Sequence, residues 1–382
     1  MKIALVHDYL IQDGGAERVL MALHEIWPEA PIFALLHDPK HLGPSFNGKD
    51  IRTSFLQRLP FALRHYKWFM PLMPSATEHY NLDEYDVVIS STSAFAKGII
   101  TRPDALHICY CHTPTRYLWS DTHSYIESLR LPAPVRRLTQ MSLSKIRLWD
   151  RLAADRVDRF IANSETVRHR IMKYYKRDSE VINPPVETSN FRVAKTKGAY
   201  FVAGGRLVAY KRFDLIIKAF NKLGLKLKIF GEGPEAGRLK AMARRNVEFT
   251  GKINDREKAD LYRLATAYIH PQEEDFGITA VEAMACGRPV IAYRQGGATE
   301  TVIEGLTGVF FDEQTPEAIA SAVVNLKPDN FDPKKIREHA ENYSKENFRR
   351  RIETFVTSAY EEWSGRIESS RSEARVREMM AG

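Results

Sequence analysis

The chain has 382 residues, 44% of them hydrophobic and 27% charged, which is the composition of a globular protein whose length suits two domains, each with its own core. It contains no apolar run of about 18 residues, which excludes a membrane-spanning helix in the sequence. The net charge of +8 is compatible with nucleic acid, an anionic membrane or a phosphorylated substrate. Because no nucleic-acid-binding motif accompanies the charge, we expect no nucleic-acid partner.

The first predicted elements are a strand, a glycine turn and a helix. Residues 2–7 (KIALVH) form a short apolar run that ends at Asp8, which favours a buried strand over a signal peptide. Gly14 and Gly15 then precede a helix with apolar residues at helical spacing: Val19, Leu20, Leu23 and Ile26. This order is typical of a doubly wound α/β domain, in which ligands bind at strand ends. The two glycines would let the backbone approach a phosphate or sugar, although a simple tight turn explains them equally well.

Further strands are predicted in the first half at 86–90, 105–111 and 159–164, and Asn163 or Ser164 is expected to cap the helix that follows. His112 ends the second of these strands. Cys109 and Cys111 lie just before it, and because no second group of ligands completes a metal site, we interpret them as strand residues. The three cysteines of the chain predict a reducing compartment and no disulfide framework. A histidine at a strand end is by itself most often structural.

The second half repeats the same alternation after a break in periodicity near residues 184–198. Strands alternate with helices of 10–15 residues there, which indicates a second parallel sheet. The sequence therefore predicts an α/β fold with two tandem Rossmann-like domains and an interdomain cleft. We place the domains at 1–190 and 191–345, and expect residues 346–382 to form a helix and tail that pack back on the N-terminal domain.

A basic loop follows the first strand of the second half. Its sequence, GRLVAYK, carries Arg206 and Lys211 across a loop at the carboxyl end of a strand. Two such cations can hold one diphosphate from two sides, the guanidinium as a planar fork and the ammonium as a point charge. In a chain with 56 basic residues, an ordinary basic loop is the alternative.

The stretch HPQEEDFGITAVEAMAC, residues 270–286, is the other candidate site. A helix that opens after Gly277 presents unpaired N–H groups and its positive dipole end, which suits a diphosphate. Glu274 precedes this helix and Glu282 lies inside it, so the two carboxylates could contact hydroxyls at the two ends of one ligand. A nucleotide sugar is such a ligand. The alternative is that both glutamates are solvated helix residues.

Two further features of the sequence argue against a dinucleotide-binding site and against a metal site. The segment GEGPEAG, residues 231–237, places glycines after a strand, but its spacing and Pro234 differ from those of a dinucleotide-binding motif. No D-x-D motif occurs, so we expect no divalent metal and no other cofactor.

These motifs together resemble those of the family 4 retaining glycosyltransferases. The resemblance lies in the E-x7-E spacing of Glu274 and Glu282, the following EAMACGRPVIA, and the G-R-L-x-x-x-K pattern that ends at Lys211. It implies the two-domain GT-B architecture, with the donor in the second half and the acceptor against the first. It also implies that Arg206 and Lys211 neutralise the leaving nucleoside diphosphate. Glu274 would bind hydroxyls of the transferred sugar and Glu282 those of the ribose.

The resemblance assigns the remaining contacts to backbone and to one histidine. The diphosphate would meet the turn and helix start formed by Phe276, Gly277, Ile278 and Thr279. The backbone of Lys252 and Ile253 would meet the base. His112 resembles the family histidine that contacts the donor sugar. The expected catalytic residues are thus Glu274, His112, Arg206 and Lys211.

The expected activity is metal-independent transfer of a hexose, with retention, to a glycan or a polyprenyl-linked acceptor of cell-surface polysaccharide biosynthesis. The segment HTPTRYLW resembles bacterial mannosyltransferases of polysaccharide and lipopolysaccharide assembly, which makes GDP-mannose the first expected donor and a UDP-hexose the second. A non-catalytic nucleotide-sugar-binding protein of the same fold is the alternative.

Two basic stretches predict a membrane partner. Residues 52–70 interleave basic with aromatic and aliphatic residues, as does a helix lying on an anionic bilayer, and residues 129–151 add a second basic stretch. For either stretch alone, an ordinary amphipathic helix with a solvated basic face is the favoured explanation. Together they predict a cytoplasmic protein bound peripherally to the inner face of the cell membrane.

Overall fold

A computed structural model describes residues 1–129, 131–194 and 198–381. The chain packs as two compact units. Unit 1 comprises Met1–Ile182 and the C-terminal segment from Arg349, and unit 2 comprises Asn183–Phe348. Arg130 of the second basic stretch, residues 195–197 of the predicted domain boundary, and residue 382 of the predicted tail lie outside the described residues.

Unit 1 contains a seven-stranded parallel sheet. Its strands are β1 (Ile3–His7), β2 (Ile32–Ala34), β3 (Ile51–Thr53), β4 (Val87–Thr92), β5 (Leu106–Cys111), β6 (Arg159–Ala162) and β7 (Glu180–Val181). They lie in the order β3-β2-β1-β4-β5-β6-β7. The helices before residue 182 are α1 (Gly15–Ile26), α2 (Met73–Glu78), α3 (Thr122–Ser128), α4 (Ala133–Ala153) and α5 (Glu165–Tyr175).

The central strands of unit 1 are apolar because both of their faces are covered. All residues of β1, β4 and β5 are buried, which is typical of parallel strands between helical layers. Strand order reverses between β1 and β4, so the loops after these two strands separate and leave a crevice at their carboxyl ends. The side chain of Ser164 caps α5 by accepting the N–H of Val167, which confirms the predicted cap.

Unit 2 contains a six-stranded parallel sheet. Its strands are β8 (Tyr200–Gly204), β9 (Leu227–Phe230), β10 (Val247–Gly251), β11 (Ala265–His270), β12 (Val290–Tyr293) and β13 (Gly308–Phe311). The order is β10-β9-β8-β11-β12-β13, so this sheet reverses between β8 and β11. Its helices are α6 (Phe213–Leu223), α7 (Ala236–Met242), α8 (Asp255–Arg263), α9 (Ile278–Ala285), α10 (Ala298–Thr301), α11 (Pro316–Asn325) and α12 (Pro333–Glu341). The prediction of two tandem Rossmann-like α/β units is confirmed.

A last helix, α13 (Lys345–Ala381), brings the chain back to unit 1. The indole N–H of Trp363 donates to the carbonyl oxygen of Asp104 at 3.0 Å. Glu362 pairs with Arg159 at the end of the sheet, with 3.3 Å between the charged atoms. None of the helices in the described part of the chain combines the length and hydrophobicity needed to cross a membrane.

The expectation that residues 52–70 form one amphipathic helix is wrong. After β3 the chain forms two short 3-10 segments, Phe55–Arg58 and Tyr66–Leu72. Pro60 supplies no N–H for a helix, and Phe61 adopts φ of 64°, in the left-handed region. The second basic stretch does form a helix, α4, which begins directly after Pro132.

Candidate functional site

The two loops at the switch point of unit 2 bring a cation and a carboxylate together. The loop after β8 ends at Lys211, and the loop after β11 carries Glu274. Lys211 Nζ lies 2.7 Å from Glu274 Oε1, and the two side chains are only 11% and 17% exposed. Two of the predicted catalytic residues, distant in sequence, thus form one ion pair at the carboxyl ends of the two central strands.

Each partner holds the other in its charged form. Burial lowers the pKa of Lys211, but the attraction of Glu274 outweighs it, so that the pKa is raised from its ordinary value. Burial likewise raises the pKa of Glu274, and Lys211 outweighs it and lowers that pKa. The site therefore presents a fixed ammonium group and a fixed carboxylate at neutral pH.

His270 and Gln272 belong to this site, although no role was predicted for either from the sequence. Both are buried, and Gln272 Nε2 lies 3.3 Å from His270 Nδ1. His270 Nε2 lies 4.0 Å from Glu274 Oε2. Burial lowers the pKa of His270 to about 4. In the described part of the chain, His270 Nε2 and Gln272 Oε1 are buried polar atoms without a hydrogen-bond partner, which is unusual in a folded protein. The only sequence signal was the position of both at the end of a central strand.

Two glycines hold the loop that carries Glu274. The N–H of Gly297 donates to the carbonyl oxygen of Glu274 at 2.8 Å. A Cβ atom on Gly296 would lie 2.4 Å from that same oxygen, and Gly296 has a φ of 65°. Larger residues at these positions would displace the loop.

The helix start predicted to bind a diphosphate is formed as expected. Gly277 is the N-cap of α9 and adopts a φ of 91°, in the left-handed region. The first N–H groups of such a helix have no partner within it. Thr279 in the first turn accepts the hydroxyl of Tyr268 at 2.9 Å, and the Phe276 ring packs on Tyr343 at 5.4 Å.

Glu282 lies apart from Lys211 and Glu274, in a buried ion pair of its own. Only 2% of its surface is exposed. Lys258 Nζ on α8 lies 2.7 Å from one carboxylate oxygen, and the hydroxyl of Tyr262 donates to the other at 3.3 Å. The structure thus gives Glu282 a packing role between α8 and α9 in addition to the ribose contact predicted from the sequence.

The other predicted residues of unit 2 lie on loops. Arg206 is exposed. Its positive charge is close enough to Lys211 to work toward a lower pKa of that lysine, although the attraction of Glu274 is the larger effect. Lys252 is exposed after β10, and Ile253 is half-buried against the core of unit 2. These positions are compatible with the predicted contacts to diphosphate and base.

In unit 1, the predicted residues lie at the carboxyl ends of the central strands. Gly14 is the N-cap of α1, and its N–H donates to Glu17 Oε2 at 2.9 Å, while Gly15 is the first residue of the helix. His112 follows β5 and is 8% exposed. Its Nε2 lies 2.9 Å from Ser91 Oγ. Burial lowers the pKa of His112 to about 3, so the imidazole is neutral.

The chain is similar to curated glycosyltransferases over part of its length. It is 32% identical over 156 residues to an uncharacterized glycosyltransferase, MJ1069, of Methanocaldococcus jannaschii, an alignment covering 38% of this chain and 40% of that protein. It is 36% identical over 142 residues to the GDP-mannose-dependent alpha-(1-6)-phosphatidylinositol monomannoside mannosyltransferase of Mycolicibacterium smegmatis, covering 32% and 37%. The chain thus spans less than half the length of either relative.

A solved structure shares the fold over nearly the whole chain. Anabaena Alr3699/HepE in complex with UDP and glucose superposes with a TM-score of 0.69 at 17% identity, covering 94% of this chain and all of that one. Two family models match consecutive parts of the sequence: Glycosyltransferase Family 4 at residues 13–190, and Glycosyl transferases group 1 at residues 187–347. With both models matched in this order on two Rossmann-like units, the chain belongs to glycosyltransferase family 4 and has the GT-B fold.

Proposed function

We propose that this protein is a retaining, metal-independent hexosyltransferase that transfers a hexose from a nucleoside diphosphate sugar to a glycan or a lipid-linked acceptor in cell-surface polysaccharide biosynthesis. The observation that carries the proposal is the ion pair of Lys211 and Glu274 at the switch point of unit 2. It supplies one cation for a diphosphate and one carboxylate for sugar hydroxyls, held in place before any ligand binds.

The charge that develops in the reaction explains the need for these residues. As the bond between the sugar C1 and the diphosphate oxygen breaks, negative charge grows on that oxygen. Lys211 and Arg206 would stabilise it as cations, and the N-terminus of α9 would add N–H donors. In this proposal the side chains and the helix dipole carry the charge stabilisation that a divalent metal supplies elsewhere.

Retention of configuration follows when the acceptor attacks the face from which the diphosphate leaves. The acceptor oxygen bonds to C1, the C1–O bond to phosphate breaks, and the acceptor proton passes to the leaving phosphate oxygen. The diphosphate thus serves as the base. His112 would contact the transferred sugar, and its lowered pKa suits a neutral hydrogen-bonding partner rather than a cation.

The first donor we propose is GDP-mannose. The support is the HTPTRYLW segment and the similarity to a relative whose name specifies GDP-mannose. A UDP-hexose is the second candidate, because the fold is shared with a protein that binds UDP and glucose. Lys252 and Ile253, after β10, are the proposed contacts of the base.

A donor panel tests the function. Purified protein is incubated with GDP-mannose and the glucose conjugates of UDP, GDP and ADP, and release of nucleoside diphosphate is measured with and without a polyprenyl-linked glycan. We expect one donor to release its nucleoside diphosphate slowly by hydrolysis when alone and faster by sugar transfer when acceptor is present, and EDTA to leave both rates unchanged. Donor binding without any release would identify a non-catalytic binding protein instead. A strict requirement for magnesium or manganese would contradict the metal-independent mechanism.

We further propose that unit 1 binds peripherally to the inner face of an anionic cell membrane. On α4, Leu138, Met141, Leu148 and Leu152 form an exposed apolar stripe at helical spacing. In the loops after β3, Phe61 and Trp68 are 70% and 72% exposed and lie among the exposed basic residues Arg58, Arg64 and Lys67. Exposed aromatics beside cations are what an anionic bilayer surface attracts, and such a location suits a lipid-linked acceptor.

A further inference from the structure

A chain of buried polar side chains connects the glycine turn after β1 with His112. Ser91 in β4 lies between two imidazoles, with its Oγ 2.9 Å from His112 Nε2 and 3.2 Å from His7 Nδ1. On its other side, His7 Nε2 lies 3.9 Å from Glu17 Oε1 in the first turn of α1. All four side chains are at least nine-tenths buried, so solvent does not supply alternative partners.

The protons in this chain are not independent of one another. A serine hydroxyl has one proton, so between two neutral imidazoles it accepts from one ring and donates to the other. A carboxylate can only accept, and Glu17 already accepts the N–H of Gly14 through its other oxygen. Its charge therefore favours a proton on the facing Nε2 atom of His7.

The protonation of His7 at Nε2 determines the direction of the remaining hydrogen bonds. In the neutral form of His7 that carries its proton on Nε2, Nδ1 accepts the hydroxyl proton of Ser91. The oxygen of Ser91 must then accept the N–H of His112 Nε2. His112, which is neutral, is left with a lone pair on Nδ1, the ring nitrogen outside the chain.

We propose that Glu17 sets the tautomer of His112 and leaves its Nδ1 as a hydrogen-bond acceptor for a hydroxyl group of the transferred hexose. His7 and Ser91 act as positioning residues that relay this preference. The substrate part of the inference rests on the proposed function. A hydroxyl that donates to Nδ1 becomes richer in electrons, which stabilises the positive charge that develops on a sugar ring as its leaving group departs.

Nuclear magnetic resonance of isotope-labelled histidine tests the tautomer directly. Correlation of ring protons with ring nitrogens at about pH 8, above the ordinary histidine pKa of about 6.5, reports which nitrogen carries the proton. The signals of His112 are assigned from their loss in His112→Ala. We expect Nε2 to be protonated and Nδ1 to be bare. A proton on Nδ1 in the wild-type protein would overturn the proposal.

Glu17→Gln is designed to reverse the relay. The amide oxygen can still accept the N–H of Gly14, while the amide NH2 donates toward His7 and favours a bare Nε2 there. We expect the proton of His112 to move to Nδ1 and kcat for donor hydrolysis to fall about tenfold, as for loss of one hydrogen bond of ordinary strength, with KM changed less. A folded Glu17→Gln protein with an unchanged His112 tautomer would show that no relay exists.

Two serine variants complete the design. Ser91→Ala breaks the relay, so we expect His112 to show mixed tautomers, and Glu17→Gln to have no further effect on them in that background. If Glu17→Gln fails to fold, a single unchanged tautomer in Ser91→Ala would refute the relay. Ser90→Ala is the matched control, since it removes an equally buried bond, 2.8 Å from Ser90 Oγ to His107 Nε2, one residue away. It should change neither the tautomer of His112 nor kcat. If the protein releases no nucleoside diphosphate from any donor, with or without acceptor, the proposed function is refuted, while the tautomer measurement still decides on the relay.

Discussion

Lys211 Nζ lies 2.7 Å from Glu274 Oε1, where the loops after β8 and β11 meet. This pair joins the two motifs from which the family resemblance was derived. Both groups are charged and largely buried, so each has lost much of its solvation. Removing either one would leave the other as a buried charge without a partner of opposite sign in this contact. In the proposed function, a ligand that brings phosphate to Lys211 and hydroxyls to Glu274 would replace this contact with equivalent ones.

Lys211→Ala is expected to reduce the turnover of the donor by at least ~10²-fold, as does the loss of one preorganised group that stabilises transition-state charge. The measurement is the initial rate of nucleoside diphosphate release. Lys222→Ala is the control, because it removes a lysine from an exposed pair with Glu317 in the same unit, and it should leave the rate unchanged. Near-normal turnover of Lys211→Ala would contradict the assignment of this cation.

Lys258→Met is expected to destabilise unit 2 by about 3–5 kcal/mol, because it removes the ammonium group that pairs with the buried carboxylate of Glu282. The free energy of unfolding from urea titration measures this. Adding Glu282→Gln should recover most of the loss. If the double variant is stable and still binds GDP or UDP as tightly as the wild type, Glu282 holds α8 and α9 together and does not bind the ribose.

The fold could be predicted from the sequence because its central strands are mainly apolar runs that alternate with helices with a clear apolar face. The glycines that shape the site could also be identified, since Gly277 begins a helix at a φ that other residues avoid. What a single sequence does not contain is pairing across the sheet. The contacts of Lys211 with Glu274 and of Lys258 with Glu282 depend on strand order and on the tilt of helices.

Local backbone conformation explains why the helix expected over residues 52–70 does not form. Residues 52–70 have the composition of an amphipathic helix, but Pro60 and the left-handed Phe61 interrupt it.

His270 and Gln272 received no predicted role, because a histidine and an amide after a strand have no characteristic spacing. The structure draws attention to them because, within the described residues, His270 Nε2 and Gln272 Oε1 are buried and have no hydrogen-bond partner.

The protein should lose stability as the pH falls below about 6.5, which is well above the pH at which carboxylates titrate. Burial lowers the pKa of His107 to about 4, as it does for His270, whereas an unfolded histidine titrates near 6.5. The unfolded chain therefore binds more protons between these values, and the free energy of unfolding falls as the pH falls through this window. Each such histidine contributes a slope of about 1.4 kcal/mol per pH unit. Urea unfolding at several pH values should show a shallower slope for His107→Gln.

Vesicle flotation should detect the proposed membrane surface. We expect binding to vesicles of phosphatidylglycerol, weaker binding at high salt, and little binding to neutral phosphatidylcholine. Replacing Arg58, Arg64 and Lys67 by Gln should weaken binding about 100-fold, because each cation near an anionic surface contributes about 1 kcal/mol.

The control for that experiment replaces three exposed lysines of unit 2, Lys327, Lys334 and Lys335, by Gln. It removes the same net charge from the protein, so equal loss of binding would mean that overall charge, and not this surface, drives the association. Leu138→Ser on α4 separates the two forces further. It should weaken binding even at high salt, because burial of an apolar side chain in the bilayer does not depend on ionic strength.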